Sequence, residues 1–268
     1  MSPIESNKAK IAKRVVEVLE FFDQDHPRAT VMDIVRRFNR PQSSTSELLS
    51  SLVELGLLYK DPYSRSYSPT QRAALLTCSV QKGMVRDGRL GSLIDRLSAQ
   101  TGLAVAVFGM VGLNVQIFSW HSGRHVVRSA RPEGLCGGIQ ESLSDSAAGW
   151  LLLSTVQQPR REGLIRRLNA EAAPERKFSH PAMMACVQDI RDRGHVTGVA
   201  GFGSLCDVTA ALLPGQPEGE PLAVGFVYEP SDRIETDALR QCLIDGIARC
   251  AETAETGAVF AEPLFNAA

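Results

Sequence analysis

Apolar residues recur at helical spacing three times in the first quarter of the chain. Ile11, Val15, Val18, Leu19 and Phe22 share one face over residues 8–23, and Val31, Ile34, Val35 and Phe38 form a second stripe behind Thr30, a candidate N-cap. The third run, Gln42 to Gly56, places Leu48, Leu49, Leu52 and Leu55 on one side and Ser, Thr, Gln and Glu on the other. Gly56 stops that helix. Leu57–Lys60 and Ser66–Pro69 then read as two short strands around the turn-rich Asp61-Pro62-Tyr63-Ser64-Arg65. Three helices and a two-stranded wing make a winged helix-turn-helix.

After a connector at 71–82, Leu90, Leu93, Ile94 and Leu97 predict a helix closed by Gly102. The period then changes. Residues 103–109 are a continuous apolar run of strand length, 115–120 alternate, and so does the region from His125 to Ala130. Ser144-Asp145-Ser146 opens a helix so apolar that it must be buried. Further helices are expected at about 159–171 and 181–194, strands at 195–200, 207–213 and 222–228, and a last helix at 235–250. The pattern predicts an α+β chain. Residues 1–76 form the winged helix-turn-helix, 77–102 a linker helix region, 103–256 a sensing domain on a central antiparallel sheet, and 257–268 a weakly patterned tail.

The polar side of the third helix suggests its chemistry. Short hydroxyls let a backbone approach a duplex and donate to phosphates or base edges. Candidate readers are Gln42, Ser43, Ser44, Thr45, Ser46 and Ser50, while Ser44 and Glu47 also fit a capping box. Arg36, Arg37 and Arg40 lie beside the start of that helix, and Lys60 and Arg65 mark the wing; all are placed for phosphate contact. Lys8, Lys10, Lys13 and Arg14 form either a solvated face or a further phosphate contact.

Composition sets bounds without deciding the matter. The chain has 268 residues, 44% of them hydrophobic, and a formal net charge of −1, so no global charge draws it to nucleic acid. Residues 1–76 carry 11 Lys and Arg against 9 Asp and Glu, which leaves room for a local basic rim. Cys78, Cys136, Cys186, Cys206, Cys242 and Cys250 are scattered, with no C-x-x-C pair, and no apolar run nears a membrane span of about 20 residues. The opening residues lack the apolar core of a signal peptide. The expectation is a reduced, cytoplasmic protein without cofactor or metal.

Catalytic motifs are absent: there is no G-x-S-x-G, H-E-x-x-H or P-loop. His121 and His125 flank a tight turn but lack a nearby cysteine or carboxylate for zinc. Gly198-Val199-Ala200-Gly201-Phe202-Gly203 departs from the dinucleotide pattern and reads as a loop over a pocket.

Taken together, the order of these blocks resembles the IclR family of bacterial regulators, from about Lys8 to Arg233. The resemblance rests on Ser43-Ser44-Thr45 opening the helix that ends Leu52-Val53-Glu54-Leu55-Gly56-Leu57-Leu58, on Leu143–Leu152, on Asp189-Ile190-Arg191-Asp192-Arg193-Gly194-His195-Val196, and on the strands through Val208–Ala211 and up to Pro230. It implies a GAF-like effector domain, a homodimer or dimer of dimers, and a palindromic operator on double-stranded DNA. Carried over by position, it implies an effector pocket of Val126, Ser129, Ala147, Ala148, Val208, Phe226 and Tyr228. Free N–H groups at the start of the helix at 147 suit an anion and the other positions are mostly apolar. The expected ligand is therefore an apolar or aromatic carboxylic acid, with Arg128 or Arg131 as its partner. Glu47 departs from the family, which usually has arginine there, and the segment after Gly198 lacks the family's acidic residue. The alternative function is a sensor or enzyme domain whose winged helix serves protein contact.

Overall fold

The computed structural model describes residues 7–23, 26–75, 83–124, 127–130, 134–216, 219–231 and 233–258. The chain divides into two compact units, Met1–Gln81 and Lys82–Ala268.

In the first unit, α1 (Asn7–Glu20), α2 (Val31–Phe38) and α3 (Gln42–Glu54) precede a hairpin of β1 (Leu58–Lys60) and β2 (Tyr67–Pro69) and a short α4 (Gln71–Leu75). Val18, Ile34, Leu49, Leu52, Leu58 and Tyr67 form its core. Ala29 and Tyr67 exchange both backbone hydrogen bonds, at 3.0 and 2.7 Å, so the segment before α2 joins the wing. Two apolar positions expected inside lie outside. Ile11 is 56% and Leu55 60% exposed.

The second unit is built on a six-stranded antiparallel sheet. Its strands are β3 (Ala104–Val111), β4 (Asn114–His121), β5 (Gln140–Ser142), β6 (His195–Val199), β7 (Asp207–Leu212) and β8 (Leu222–Tyr228), in the order β5-β4-β3-β8-β7-β6. The antiparallel mixed fold matches expectation. The strand expected over His125 to Ala130 does not form among the described residues, where Ser129 makes a single bridge to Ser204. The polar Gln140–Ser142 takes the place beside β4 instead.

Both sheet faces are covered. On one lie α7 (Ala147–Ser154), α8 (Arg160–Glu171) and α9 (His180–Arg193), packed on Ala106, Phe108, Ile117, Val208, Ala210 and Val227. On the other lie the short α5 (Gly83–Arg86), α6 (Arg89–Thr101) and α10 (Thr236–Ala258), around Val105, Val107, Val224, Phe226 and Tyr228. Leu93 and Leu97 of α6 are fully buried there, so the helix expected as a linker is part of this core.

Candidate nucleic-acid interface and effector site

The capping box of the first unit belongs to α2. Thr30 Oγ1 accepts the Asp33 N–H at 3.4 Å, and Asp33 Oδ2 accepts the Thr30 N–H at 2.8 Å. Asn39 closes α2 in a left-handed conformation (φ 47°), which turns the chain sharply into α3. Arg36 and Arg37 end α2 as exposed cations.

The capping box expected at Ser44 and Glu47 does not form. Helix α3 begins three residues earlier, with Pro41 as an N-cap that makes no side-chain bond. The early start leaves Ser44 half-buried and turns Thr45 inward. Their hydroxyls donate to the Pro41 carbonyl at 3.2 and 2.9 Å, and Thr45 is buried at 4% exposure, so Thr45 is not a base reader. Gln42, Ser43, Glu47 and Ser50 are exposed, and Ser46 is half-buried. Arg40 also departs from expectation, because its guanidinium is paired with Glu17 of α1 at 2.5 Å.

Lys60 is exposed and its ammonium lies 5.6 Å from the Tyr67 ring centroid. Asp61 organises the wing tip by accepting the Tyr63 N–H and the Ser64 hydroxyl, at 2.9 and 2.7 Å. These bonds, the Ser64 hydroxyl first, hold the Asp61 carboxyl below the usual aspartate range. Arg65 is exposed with φ 54°, and Tyr63 is 96% exposed at the tip. Sequence reasoning passed over Tyr63 and Arg28. The pairing of Ala29 with Tyr67 brings Arg28 to the wing, and no local pattern encodes that.

The expected effector residues do not converge. Ala147, Ala148 and Val208 face the α7 side of the sheet, whereas Phe226 and Tyr228 face α6 and α10. Alternation along β8 puts Phe226 and Tyr228 opposite Val227, and Tyr228 gives or takes a hydrogen bond with Thr209 Oγ1 at 2.9 Å. Burial pushes the Tyr228 hydroxyl above its ordinary pKa. Val126 and Arg131 lie outside the described residues. Arg128 is 87% exposed and directed to Glu229, at 3.7 Å. Arg128, Val127, Leu103, Tyr228, Glu229 and Ile234 border an open cleft of about 410 Å³.

At the start of α7 the Ser146 hydroxyl accepts the Gly149 N–H at 3.1 Å, which uses one of the free donors of the expected cradle. The loop after β6 closes over this point. Phe202 is buried and stacked on Phe108, with ring centroids 6.3 Å apart and 19° between planes. Its N–H donates to Glu141 Oε2. Glu141 and Asp145 both face Arg176, at 3.9 and 2.5 Å. Among the described residues no group of His, Cys, Asp and Glu could hold a metal, and no helix is long and apolar enough to cross a membrane.

The sequence model of the IclR helix-turn-helix domain matches residues 12–62, the span from α1 through the first wing strand. Over that span the chain is similar to the IclR helix-turn-helix domain. No curated protein matches the sequence. Solved IclR structures share the fold over nearly the whole chain. One, an IclR transcriptional regulator from Alicyclobacillus acidocaldarius, is 15% identical and has a TM-score of 0.54, covering 92% of this chain and 98% of that one. Another, an IclR homolog from Microbacterium hydrocarbonoxydans in complex with 4-hydroxybenzoate, is 16% identical with a TM-score of 0.53, covering 90% and 99%. The Thermotoga maritima IclR is 16% identical with a TM-score of 0.50, covering 91% and 96%. The expected IclR resemblance and the winged helix-turn-helix with an antiparallel C-terminal sheet agree with these matches.

Proposed function

We propose that this chain is a ligand-responsive transcriptional regulator that binds a palindromic operator as a homodimer and changes its affinity when a small organic effector enters the second unit. The observation that carries the reading is the exposed side of α3, where Gln42, Ser43 and Ser50 stand clear of the core beside Arg36 and Arg37. Those side chains suit base edges in a major groove, and the cations suit flanking phosphates. Lys60 and Arg65 on the wing add contacts to the neighbouring backbone. The effector is an aromatic acid or a similar apolar molecule held on the α7 side of the sheet by the region of Ala147, Ala148, Val208 and Ser129. An IclR homolog with 4-hydroxybenzoate bound supports that class.

Glu47 and Glu54 are exposed on the same side of α3 and favour a second reading, in which the winged helix contacts a basic protein surface. Fluorescence anisotropy with the chain's own promoter decides between them. A steep linear fall of log K with log salt, and loss of affinity for a scrambled site, support the regulator. Weak binding that is insensitive to salt and sequence rejects it.

A further inference from the structure

Gly201, Phe202 and Gly203 follow one another with φ of 79°, 56° and 71°. Glycine enters the left-handed region freely, while phenylalanine does so only under compensation. Here the compensation is visible. The Phe202 ring is 1% exposed against Phe108, and its N–H is taken by the Glu141 carboxylate rather than by a strand. A Cβ at Gly201 would stand 2.3 Å from Glu141 Oε2 and 3.0 Å from Ser146 Cβ, so this backbone is pressed against the start of α7. The ladder of β6 with β7 ends at the pair Val199 and Asp207, which leaves the loop outside the sheet. Withdrawing Phe202 therefore breaks no ladder bond.

We propose that Phe202 is an internal occupant of the effector site, holding by its own ring the place that an aromatic effector takes. The inference rests on the reading of the second unit as an effector domain. An incoming ring replaces the Phe202 ring on Phe108, and a phenol O–H or aromatic N–H replaces the Phe202 N–H on Glu141. Both exchanges are like for like, and the left-handed phenylalanine is released. The polar group at this spot is the Glu141 carboxylate, and the single cation facing it, Arg176, is shared with Asp145; it therefore selects a hydrogen-bond donor, and any acid group on the effector points away from it. The displaced loop carries the signal. Ala130 N–H donates to the Gly203 carbonyl at 3.0 Å and Ser129 bridges Ser204, so the segment around Ser129 moves with Phe202.

The test uses the full chain and three probes: phenol, toluene and benzoate. Phe202→Ala vacates the ring site and binds phenol about tenfold more tightly than the unaltered chain, which must first expel its own ring. Toluene and benzoate bind it less tightly than phenol, and Glu141→Gln narrows the preference for phenol over benzoate. A folded Phe202→Ala chain whose phenol affinity is unchanged overturns the proposal. Hydrogen exchange on the unaltered chain gives a second measurement that needs no substitution. Phenol must speed exchange of the Phe202 amide, and slower or unchanged exchange also overturns it. Promoter binding is read separately, so a chain that binds its operator but fails both tests loses this inference alone.

Discussion

Arg40 Nη2 and Glu17 Oε2 lie 2.5 Å apart, tying the turn before α3 to the last turn of α1. Only about a quarter of either side chain is exposed, 25% and 21%, and the Arg40 guanidinium also lies 5.9 Å from the Phe38 ring centroid. A cation engaged in this way contributes to the fold of the unit rather than to phosphate binding. Arg40→Ala is expected to destabilise the chain by about 1–2 kcal/mol while leaving the salt dependence of DNA binding unchanged. Arg36→Ala and Arg37→Ala should do the reverse, each lowering the slope of log K against log salt by about 0.9. Urea denaturation and anisotropy over a chloride series measure the two effects. A reduced slope for Arg40→Ala would return that residue to the interface.

The box formed by Thr30 and Asp33 makes α2 sensitive to acid. The Asp33 carboxyl is held below its ordinary pKa, first by the Thr30 N–H and then by the Thr30 hydroxyl. A depressed folded-state pKa contributes stability that is complete above the unfolded value and is lost as pH falls through the folded one. Asp33→Asn is therefore less stable than the unaltered chain at neutral pH. The gap narrows below the ordinary aspartate range and closes once pH has passed the depressed value. Thr30→Ala loses the reciprocal half, about 1 kcal/mol. Thermal melts of the three chains between neutral pH and strong acid check the sign. A gap that widens on acidification contradicts it.

Tyr228 and Val208 separate the two sides of the sheet. Tyr228 faces α6 and α10 and shares a hydrogen bond with Thr209, whereas Val208 faces α7. Tyr228→Phe is expected to cost about 1 kcal/mol of stability and to leave effector affinity within about twofold, because Tyr228 points to the opposite face of the sheet. Val208→Ala should cost about 1–2 kcal/mol as a core truncation and also alter that affinity. Calorimetry with an aromatic acid such as 4-hydroxybenzoate, alongside urea melts, reads both quantities. Equal effects on affinity would mean that the effector reaches both faces.

These corrections show what the residue pattern carries and what it omits. Helical stripes and strand lengths were legible, since β8 runs over Leu222–Tyr228 as expected and Gly102 and Gly194 close their helices. The sidedness of the central strands was not. In β3 and β8 both faces are buried, so apolar residues fill every position and a period of two leaves no mark. The pocket implied by the IclR resemblance, with Phe226 and Tyr228 beside Ala147, therefore has no periodicity in the sequence to test it. Thr45 misled for another reason: its hydroxyl is satisfied by the Pro41 carbonyl, and a hydroxyl with a local partner can be buried. The role of Glu141 depends on a loop about sixty residues away, as only the fold brings Phe202 to it.

Arg161 gives the final prediction, because its surroundings do not satisfy it. The side chain is 4% exposed on the first turn of α8, and its Nη2 donates to Gln188 Oε1 at 2.8 Å. Among the described residues its Nε and Nη1 are buried without a partner. Burial pushes the guanidinium pKa down, and the positive charge of Arg191 adds to the effect. The N-terminal end of a helix also disfavours a cation. Arg161→Met keeps the aliphatic stem and removes the buried charge, and Gln188 retains its bond to Asp192 at 2.9 Å. The expected result in a urea melt is a gain of about 1–2 kcal/mol, within the range for replacing poorly compensated buried ions by apolar side chains. A loss of that size would mean that the two guanidinium donors find acceptors in solution, and that the charge stabilises the junction of α8 with α9.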